Sequence, residues 1–343
     1  SDSDSDSAIP LSYSEASWTG LFNIRTCRWD DMALSLLPSC FRAPAVSDDY
    51  STVLRNPLYL KKWPELRGCR LFLGVADGVC ANVGSKCCSV ERMAVTIGTS
   101  AAVRVCVDEG VLLRNVDIPW GLWCYRVDKR RVLIGGALTD GGSVVEWVRS
   151  FLNLNDTAAF DTVMQSVIQN VRKGTSPPSP ITMLPFLSGE RSTGFRDGAQ
   201  CVVSGFTRLT TPSDFIHACL ASVVLRLNAI KHLIDKVIVN HDNVNDTVIV
   251  ASGNALERNV AWRQMIADCL QTSVVLDQEV TEGTSRGMAR TLAMKLEQKE
   301  EWMMEEELSL REMLNPREET KMYWNNAVQE QEKLISASCQ LWV

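Results

Sequence analysis

Apolar and polar positions along the chain alternate between two periods, and the switch between them lays out the predicted elements. Residues 12–37 (SYSEASWTGLFNIRTCRWDDMALSLL) mix small polar residues with a helical-looking end that Pro38 closes. The apolar run Leu71–Ala76 reads as a buried strand. Arg92–Ile97 and Ala101–Val107 read as two strands of a hairpin, joined by the turn Gly98-Thr99-Ser100. Strand-like pieces follow at 120–127 and 131–134, separated by the turn Asp128-Lys129-Arg130. After Gly141-Gly142 the apolar residues of 143–152 recur three to four apart, as in a helix.

The Pro-rich stretch 176–180 marks a loop, and Thr211-Pro212-Ser213-Asp214 is the clearest helix start in the chain. Threonine caps, proline suits the first helical position, and the Asp214 carboxylate can return a bond to the cap. The helix is expected to run to about Val237. A strand at 247–251, a tight turn Ser252-Gly253-Asn254-Ala255, a helix over 258–271, a strand over 273–276 and a helix over 284–298 complete the pattern. Strand, helix, strand, helix implies an α/β layer structure. Residues 298–343 are acidic, with Glu305-Glu306-Glu307 in their middle and Pro316 beyond, and read as a solvated helical tail.

With 343 residues, 45% hydrophobic and 22% charged, the composition is that of a globular protein with one large core or two. The net charge of −6 and the absence of a basic cluster longer than Lys129-Arg130-Arg131 argue against nucleic acid as the partner. No stretch approaches 18 uninterrupted apolar residues, so neither membrane insertion nor secretion is indicated, and a cytoplasmic protein is expected. The twelve cysteines form no Cys-x-x-Cys pair, and His217, His232 and His241 do not stand at metal-ligand spacing beside them. The cysteines are expected to be reduced, buried small hydrophobes and no metal is expected on the protein. The chain opens on Ser1 and an SDSDSDS repeat rather than on methionine, so further sequence upstream is expected.

The common nucleotide motifs are absent: there is no Gly-x-x-x-x-Gly-Lys-Ser/Thr and no Gly-x-Gly-x-x-Gly after a strand. Three turns could still hold an anion. Thr96-Ile97-Gly98-Thr99-Ser100 offers unblocked amides and two hydroxyls, though an ordinary hairpin turn has the same composition. Gly141-Gly142 and Gly253-Asn254 both precede helices, where amide donors and the helix dipole favour an anion, though glycine there is also common punctuation. Asp77 stands alone at the exit of an apolar run. It could accept a proton from an alcohol during phosphoryl transfer, or could equally be a turn or helix cap.

Six stretches in order, SYSEASWTGL, GVADGVCANVGS, RMAVTIGTSAAVRV, GGALTDGGSVVEW, PFLSGERSTGFRDGA and ASGNALERNVAWRQMIADCL, resemble the FGGY family of carbohydrate kinases over residues 12–297. The resemblance implies an actin-like (ribonuclease H-like) α/β ATPase lobe with a partial first lobe. It implies a low-complexity tail at 1–11, the end of a sugar-binding first lobe at 12–88, a nucleotide-binding lobe at 89–297 and the acidic tail at 298–343. Asp77 corresponds to the family's catalytic base and, with Gly78, to its substrate contacts. Gly98, Thr99 and Ser100 correspond to the phosphate-binding turn, and Gly141, Gly142, Gly253 and Asn254 to the walls of the adenosine site. The partners implied are ATP, Mg²⁺ carried on it, and a small sugar; a homodimer stays open.

Several positions depart from the family pattern. The strand and Asp-x-Gly-Thr phosphate loop that open the family's first lobe have no match, Gly78 replaces the usual Asn or Gln, Asn254 replaces a second glycine, and Ala221 stands where a glutamate is usual. The function expected is ATP-dependent phosphorylation of a hydroxyl of a pentulose or gluconate-like sugar, with a catalytically inactive, truncated nucleotide- or partner-binding remnant as the alternative. An actin-like ATPase or chaperone domain would share the fold but explains Asp77 and GERSTGFRDG less well.

Overall fold

A mixed seven-stranded sheet carries the chain. It is made of β1 (Arg92–Ile97), β2 (Ala101–Asp108), β3 (Trp123–Arg126), β4 (Arg131–Leu138), β5 (Val248–Ser252), β6 (Val274–Asp277) and β7 (Leu310–Leu314), in the spatial order β7-β6-β5-β1-β2-β4-β3. This computed structural model describes residues 9–113, 116–173, 181–238, 247–277, 282–297, 308 and 310–342. β5 runs parallel to both β1 and β6, and the remaining pairs are antiparallel. The helices are α1 (Tyr13–Trp18), α2 (Asp77–Gly84), α3 (Ser143–Phe151), α4 (Thr157–Lys173), α5 (Pro212–Ile238), α6 (Asn254–Arg258), α7 (Val260–Leu270), α8 (Gly283–Glu297) and α9 (Lys321–Ser338), with short turns of helix between some of them.

The strands read as nearly continuous apolar runs because both faces of the sheet are covered. Met93, Val95, Ile97, Val103, Val105 and Ile134 enter the large core under α5, whereas Cys106 and Leu133 face Ala76, Val79 and Val83 at α2. α5 begins on the capping box read from the sequence: the Asp214 carboxylate accepts from Thr211 N at 2.9 Å, and Asp214 N donates to Thr211 Oγ1 at 3.2 Å. By length and composition α5 could cross a membrane, but 72% of its apolar window is buried inside this lobe, where Leu220 O accepts from Trp262 Nε1.

The structure differs from the sequence reading at four places. First, the run 71–76 is not a buried strand. Only Arg70–Phe72 is extended, it pairs with Ser51–Val53, and Leu71 is 41% exposed; residues 73–76 lead without regular structure into α2. Second, β4 runs past the expected Ile134 to Leu138. Its glycines do not break it, because a Cβ on Gly135 would come within 2.6 Å of the Trp123 ring and one on Gly136 within 2.8 Å of Ile230.

Third, the helix expected over 258–271 is α7, and before it the expected turn at 252–255 runs into a further short helix, α6; the two are divided at Asn259, whose side chain accepts from Trp262 N. Fourth, the acidic tail is helical at 321–338 as expected, but its described part packs one side onto the lobe rather than standing free in solvent. β7 adds antiparallel to β6, Glu312 pairs with Arg263, and α9 buries Trp324, Gln331 and Ile335, with Gln331 Nε2 donating to Met183 O and Ser222 O. Gln331 is unremarkable in an acidic stretch until the carbonyls it serves are known.

The loop 176–180, Glu305–Glu307, His241 and the SDSDSDS repeat lie outside the described residues. All twelve cysteines are free thiols. Five are buried, and burial pushes Cys87 up to about 12, so these behave as small hydrophobes; Cys40 and Cys69 are exposed.

Candidate functional site

The site grows from the way Asp77 is held. Ser12 caps α1 by accepting from Glu15 N at 3.0 Å, and the same hydroxyl donates to Gly74 O at 2.7 Å. Two residues on, Ser14 Oγ accepts from Ala76 N at 3.0 Å. The SYSEAS stretch therefore grips the backbone on both sides of Val75 from 62 residues away. The chain then turns into α2 with Asp77 as its first residue, exposed, where a carboxylate is favoured by the helix dipole. Asp77 Oδ1 accepts from Gly78 N at 2.6 Å.

α2 is docked by glycines. A Cβ on Gly84 would fall 1.8 Å from Gly283 O, and one on Gly287 would fall 1.7 Å from Cys80 O, so α2 and α8 touch backbone to backbone. Gly283 and Gly287 are four apart, the spacing that puts two small residues on one helix face. Arg286 closes the contact by donating from Nε and Nη2 to Gly84 O at 3.1 and 3.0 Å. Gly78 has its own constraint: a Cβ there would stand 2.4 Å from Tyr125 Oη. The tyrosine hydroxyl thus occupies the place that a side chain after the carboxylate would need. Burial raises the Tyr125 pKa and keeps it a neutral hydroxyl.

A cleft of about 320 Å³ opens in front of Asp77. Its lining includes Gly78, Thr96, Arg104, Ser252, Gly253 and Thr284. Thr96 and Ser252, side by side on β1 and β5, share a hydrogen bond of 2.8 Å between their hydroxyls. Burial lowers the pKa of the Arg104 guanidinium, while Tyr125 and Asp77 act in the opposite direction.

At the strand ends the three glycine turns meet. Gly141 N donates to Thr99 O at 2.8 Å and Gly142 N to Gly98 O at 2.7 Å. A Cβ on Gly141 would lie 2.6 Å from Ser100 C, one on Gly142 2.5 Å from Gly98 O, and one on Gly253, whose φ is +94°, 2.4 Å from Ile97 O. The protein itself therefore requires these three glycines. Gly98 is different: a Cβ on it would meet nothing within 4 Å, and Gly98, Thr99 and Ser100 are all exposed. Asn254 is exposed at the first position of α6.

Gly253 belongs both to this cluster and to the Asp77 cleft, so the structure brings the carboxylate and the turns together through it. Gly98–Ser100, Gly141, Gly142 and Asn254 are not among the residues that line the cleft itself. Ala221 is buried elsewhere, against a cavity shared with Tyr323 and Asn326. In the GERSTGFRDG segment, Glu190 is a buried clamp, bonded to Arg226 Nη2 at 3.0 Å and Arg196 Nη1 at 2.9 Å.

Sequence reasoning missed Ser12, Ser14, Arg104, Tyr125 and Gly287. The signals within reach were the paired serines of SYSEAS and the four-residue spacing of Gly283 and Gly287. Nothing local marks Arg104 or Tyr125. Among the described residues no group of three His, Cys, Asp or Glu side chains could hold a metal ion.

A mixed sheet with glycine turns gathered at its strand ends beside a lone carboxylate has the actin-like fold of sugar kinases. Residues 93–296 match the FGGY family of carbohydrate kinases, C-terminal domain, and the chain belongs to that family. It is 26% identical over 288 residues to a gluconokinase of Bacillus subtilis (strain 168), covering 78% of this chain and 52% of the relative, and 22% identical over 288 residues to a xylulose kinase of Staphylococcus xylosus, covering 82% and 55%. Among solved structures it resembles a xylulose kinase from Lactobacillus acidophilus, with a TM-score of 0.81, 22% identity and coverage of 97% of this chain and 65% of that one. A gluconate kinase from the same organism gives 0.80 at the same identity and coverage. The chain spans about half the length of the curated relatives it matches.

Proposed function

We propose that this protein transfers the γ-phosphoryl group of ATP to a hydroxyl of a small sugar or sugar acid, with Asp77 as the general base. The observation that carries this reading is the placement of Asp77: an exposed carboxylate lines a cleft together with Gly253, which is part of the cluster that contains the Gly98–Ser100 turn. The Asp77 carboxylate accepts the hydroxyl proton as the substrate oxygen bonds to phosphorus and the bond to the ADP oxygen breaks. The amides and hydroxyls of Thr99 and Ser100 bind phosphoryl oxygens, while the Gly98 amide is spent within the turn on Ser100 O at 2.9 Å and Gly98 contributes a clear approach. Gly98 suits this because no protein atom fills the space in front of it.

Gly141, Gly142, Gly253 and Asn254 then form the walls for the nucleoside, with the glycines keeping the turns close enough to do so. Mg²⁺ supplies neutralisation of phosphate charge. With Asp77 the one carboxylate among the residues lining the cleft, the ion fits as a passenger on the nucleotide rather than as a resident of a protein cage. Gly78 and Asp77 contact the acceptor. Reduced thiols throughout suit a cytoplasmic location.

The test is ADP release by the chain with Mg²⁺-ATP and a panel of pentuloses, gluconate and glycerol, beside Asp77→Asn. Sugar-stimulated turnover should fall by about 10²- to 10⁴-fold in the variant, with nucleotide affinity unchanged. Turnover that survives the substitution defeats the assignment of Asp77. Nucleotide binding without any turnover in the unaltered chain overturns the kinase reading in favour of a binding module.

A further inference from the structure

Arg104 is a charged side chain of the cleft that the reading above leaves unused; Arg286, which also lines it, donates to Gly84 O. Arg104 stands on β2 between Val103 and Val105, which enter the large core, and so projects to the opposite face with Cys106, toward α2. There it lines the cleft alongside Asp77, Gly78 and Thr96.

A guanidinium in such a position normally has a carboxylate. The other deeply placed arginines of this protein follow that rule: Arg126 pairs with Glu109 at 2.9 Å, Arg226 with Glu190 at 3.0 Å, and Arg263 with Glu312. Arg104 does not. Among the described residues its one hydrogen bond runs from Nη1 to Thr96 Oγ1 at 3.4 Å, and no carboxylate lies within ion-pair distance. Most of its donors are left for something in the cleft, and a planar fork of N–H groups matches a carboxylate in two parallel bonds.

We propose that Arg104 receives the carboxylate of the acceptor substrate, and that this substrate is a sugar acid, a polyhydroxy carboxylate, rather than a neutral sugar or polyol. The inference rests on the kinase reading and narrows it. The charge balance supports it. A neutral sugar filling the cleft would strip water from Arg104 and return only neutral hydroxyl acceptors, whereas a monoanion restores a charged partner. On the kinase reading the phosphoryl group has its own station in the turn Gly98–Ser100, beyond the end of β1 and exposed. Asp77 in the same cleft then meets a hydroxyl of the molecule whose carboxylate Arg104 holds, which fixes the register of the acceptor chain against the base.

Calorimetric titration of the full 343-residue chain and of Arg104→Gln and Arg104→Lys with D-gluconate, D-glucitol, inorganic phosphate and ATP tests this, with thermal melting run on each variant. Gluconate should bind the unaltered protein more tightly than glucitol. It should weaken by about 10- to 100-fold in Arg104→Gln and recover in part in Arg104→Lys, while glucitol and ATP change little. Equal gluconate affinity in Arg104→Gln, or no gluconate binding by the unaltered protein, overturns the proposal. So does an equal loss for phosphate and ATP, which would assign the guanidinium to the phosphoryl group, and a melting loss in both variants that tracks the binding loss, which would make Arg104 structural.

Asp77→Asn separates this from the kinase reading. Gluconate binding that depends on Arg104 in a protein without turnover sinks the kinase and keeps the anion site. Turnover on a neutral sugar that depends on Asp77 but not on Arg104 does the reverse.

Discussion

Two regions, the strand-end turns and the helix pair beside Asp77, are held by crowded glycines, and one turn ends in a glycine of the opposite kind. At the strand ends, Gly141, Gly142 and Gly253 are there because neighbouring backbone leaves no room for a Cβ, and they weld the turns into one body. At the tip of that body Gly98 has open space in front of it, so the fold has no use for its missing side chain. Beside Asp77 the close contact is between helices, Gly84 and Gly287 against the facing backbone, and the side chains that aim the carboxylate come from Ser12 and Ser14. A glycine can thus serve the protein or serve what the protein holds, and the space in front of it tells which.

The largest break in this comparison should come at the helix pair. Gly287→Val places a branched side chain where even a Cβ lies 1.7 Å from Cys80 O, and α2 must leave α8 to accommodate it. The expected cost is about 3 kcal/mol or more, read as a lower melting temperature, with turnover lost even where the sheet lobe stays folded. A sharper result comes from two alanines measured together. Gly253→Ala, at φ +94° and 2.4 Å from Ile97 O, should destabilise by about 2 kcal/mol. Gly98→Ala should leave the melting temperature within about 1 °C and weaken nucleotide affinity instead. If Gly98→Ala were the destabilising one, the distinction between the two kinds of glycine would fail.

The smallest effect is expected at Ser14→Ala, which removes the acceptor for Ala76 N. The loss in stability should be about 1 kcal/mol, with a drop in turnover larger than that figure explains because the strand-free segment before Asp77 loosens. Denaturant unfolding beside steady-state kinetics reads both.

The same contrast explains what was legible in the sequence. Thr211-Pro212-Ser213-Asp214 was readable because its chemistry is local: cap, proline and returning carboxylate lie within one turn. The hairpin of β1 and β2 and the glycine turns were readable for the same reason. Residues 71–76 misled because an apolar run shows burial without showing what covers it. Here Val75 and Ala76 pack beneath α2 while Leu71 lies open on a two-stranded ribbon. β7 was missed because Leu310–Leu314 carries no alternation of its own, and its place at the sheet edge is secured from elsewhere by Arg263 on Glu312 and Arg317 on Asp268.

Arg104 was hidden in a strand by apolar neighbours on both sides. Only the pairing of β2 with β1 and β4 shows that it shares a face with Thr96 and reaches the cleft. Tyr125 was equally silent, because its relation to Gly78 crosses 47 positions of sequence (125 − 78) and depends on one hydroxyl.

The backbone contact between α2 and α8 also decides what moves with what. Two helices that touch through glycines and are capped together by Arg286 slide or swing as one piece, and α8 follows directly from the β5–β6 half of the sheet. Asp77 therefore keeps its place relative to the sheet for as long as α2 and α8 stay in contact.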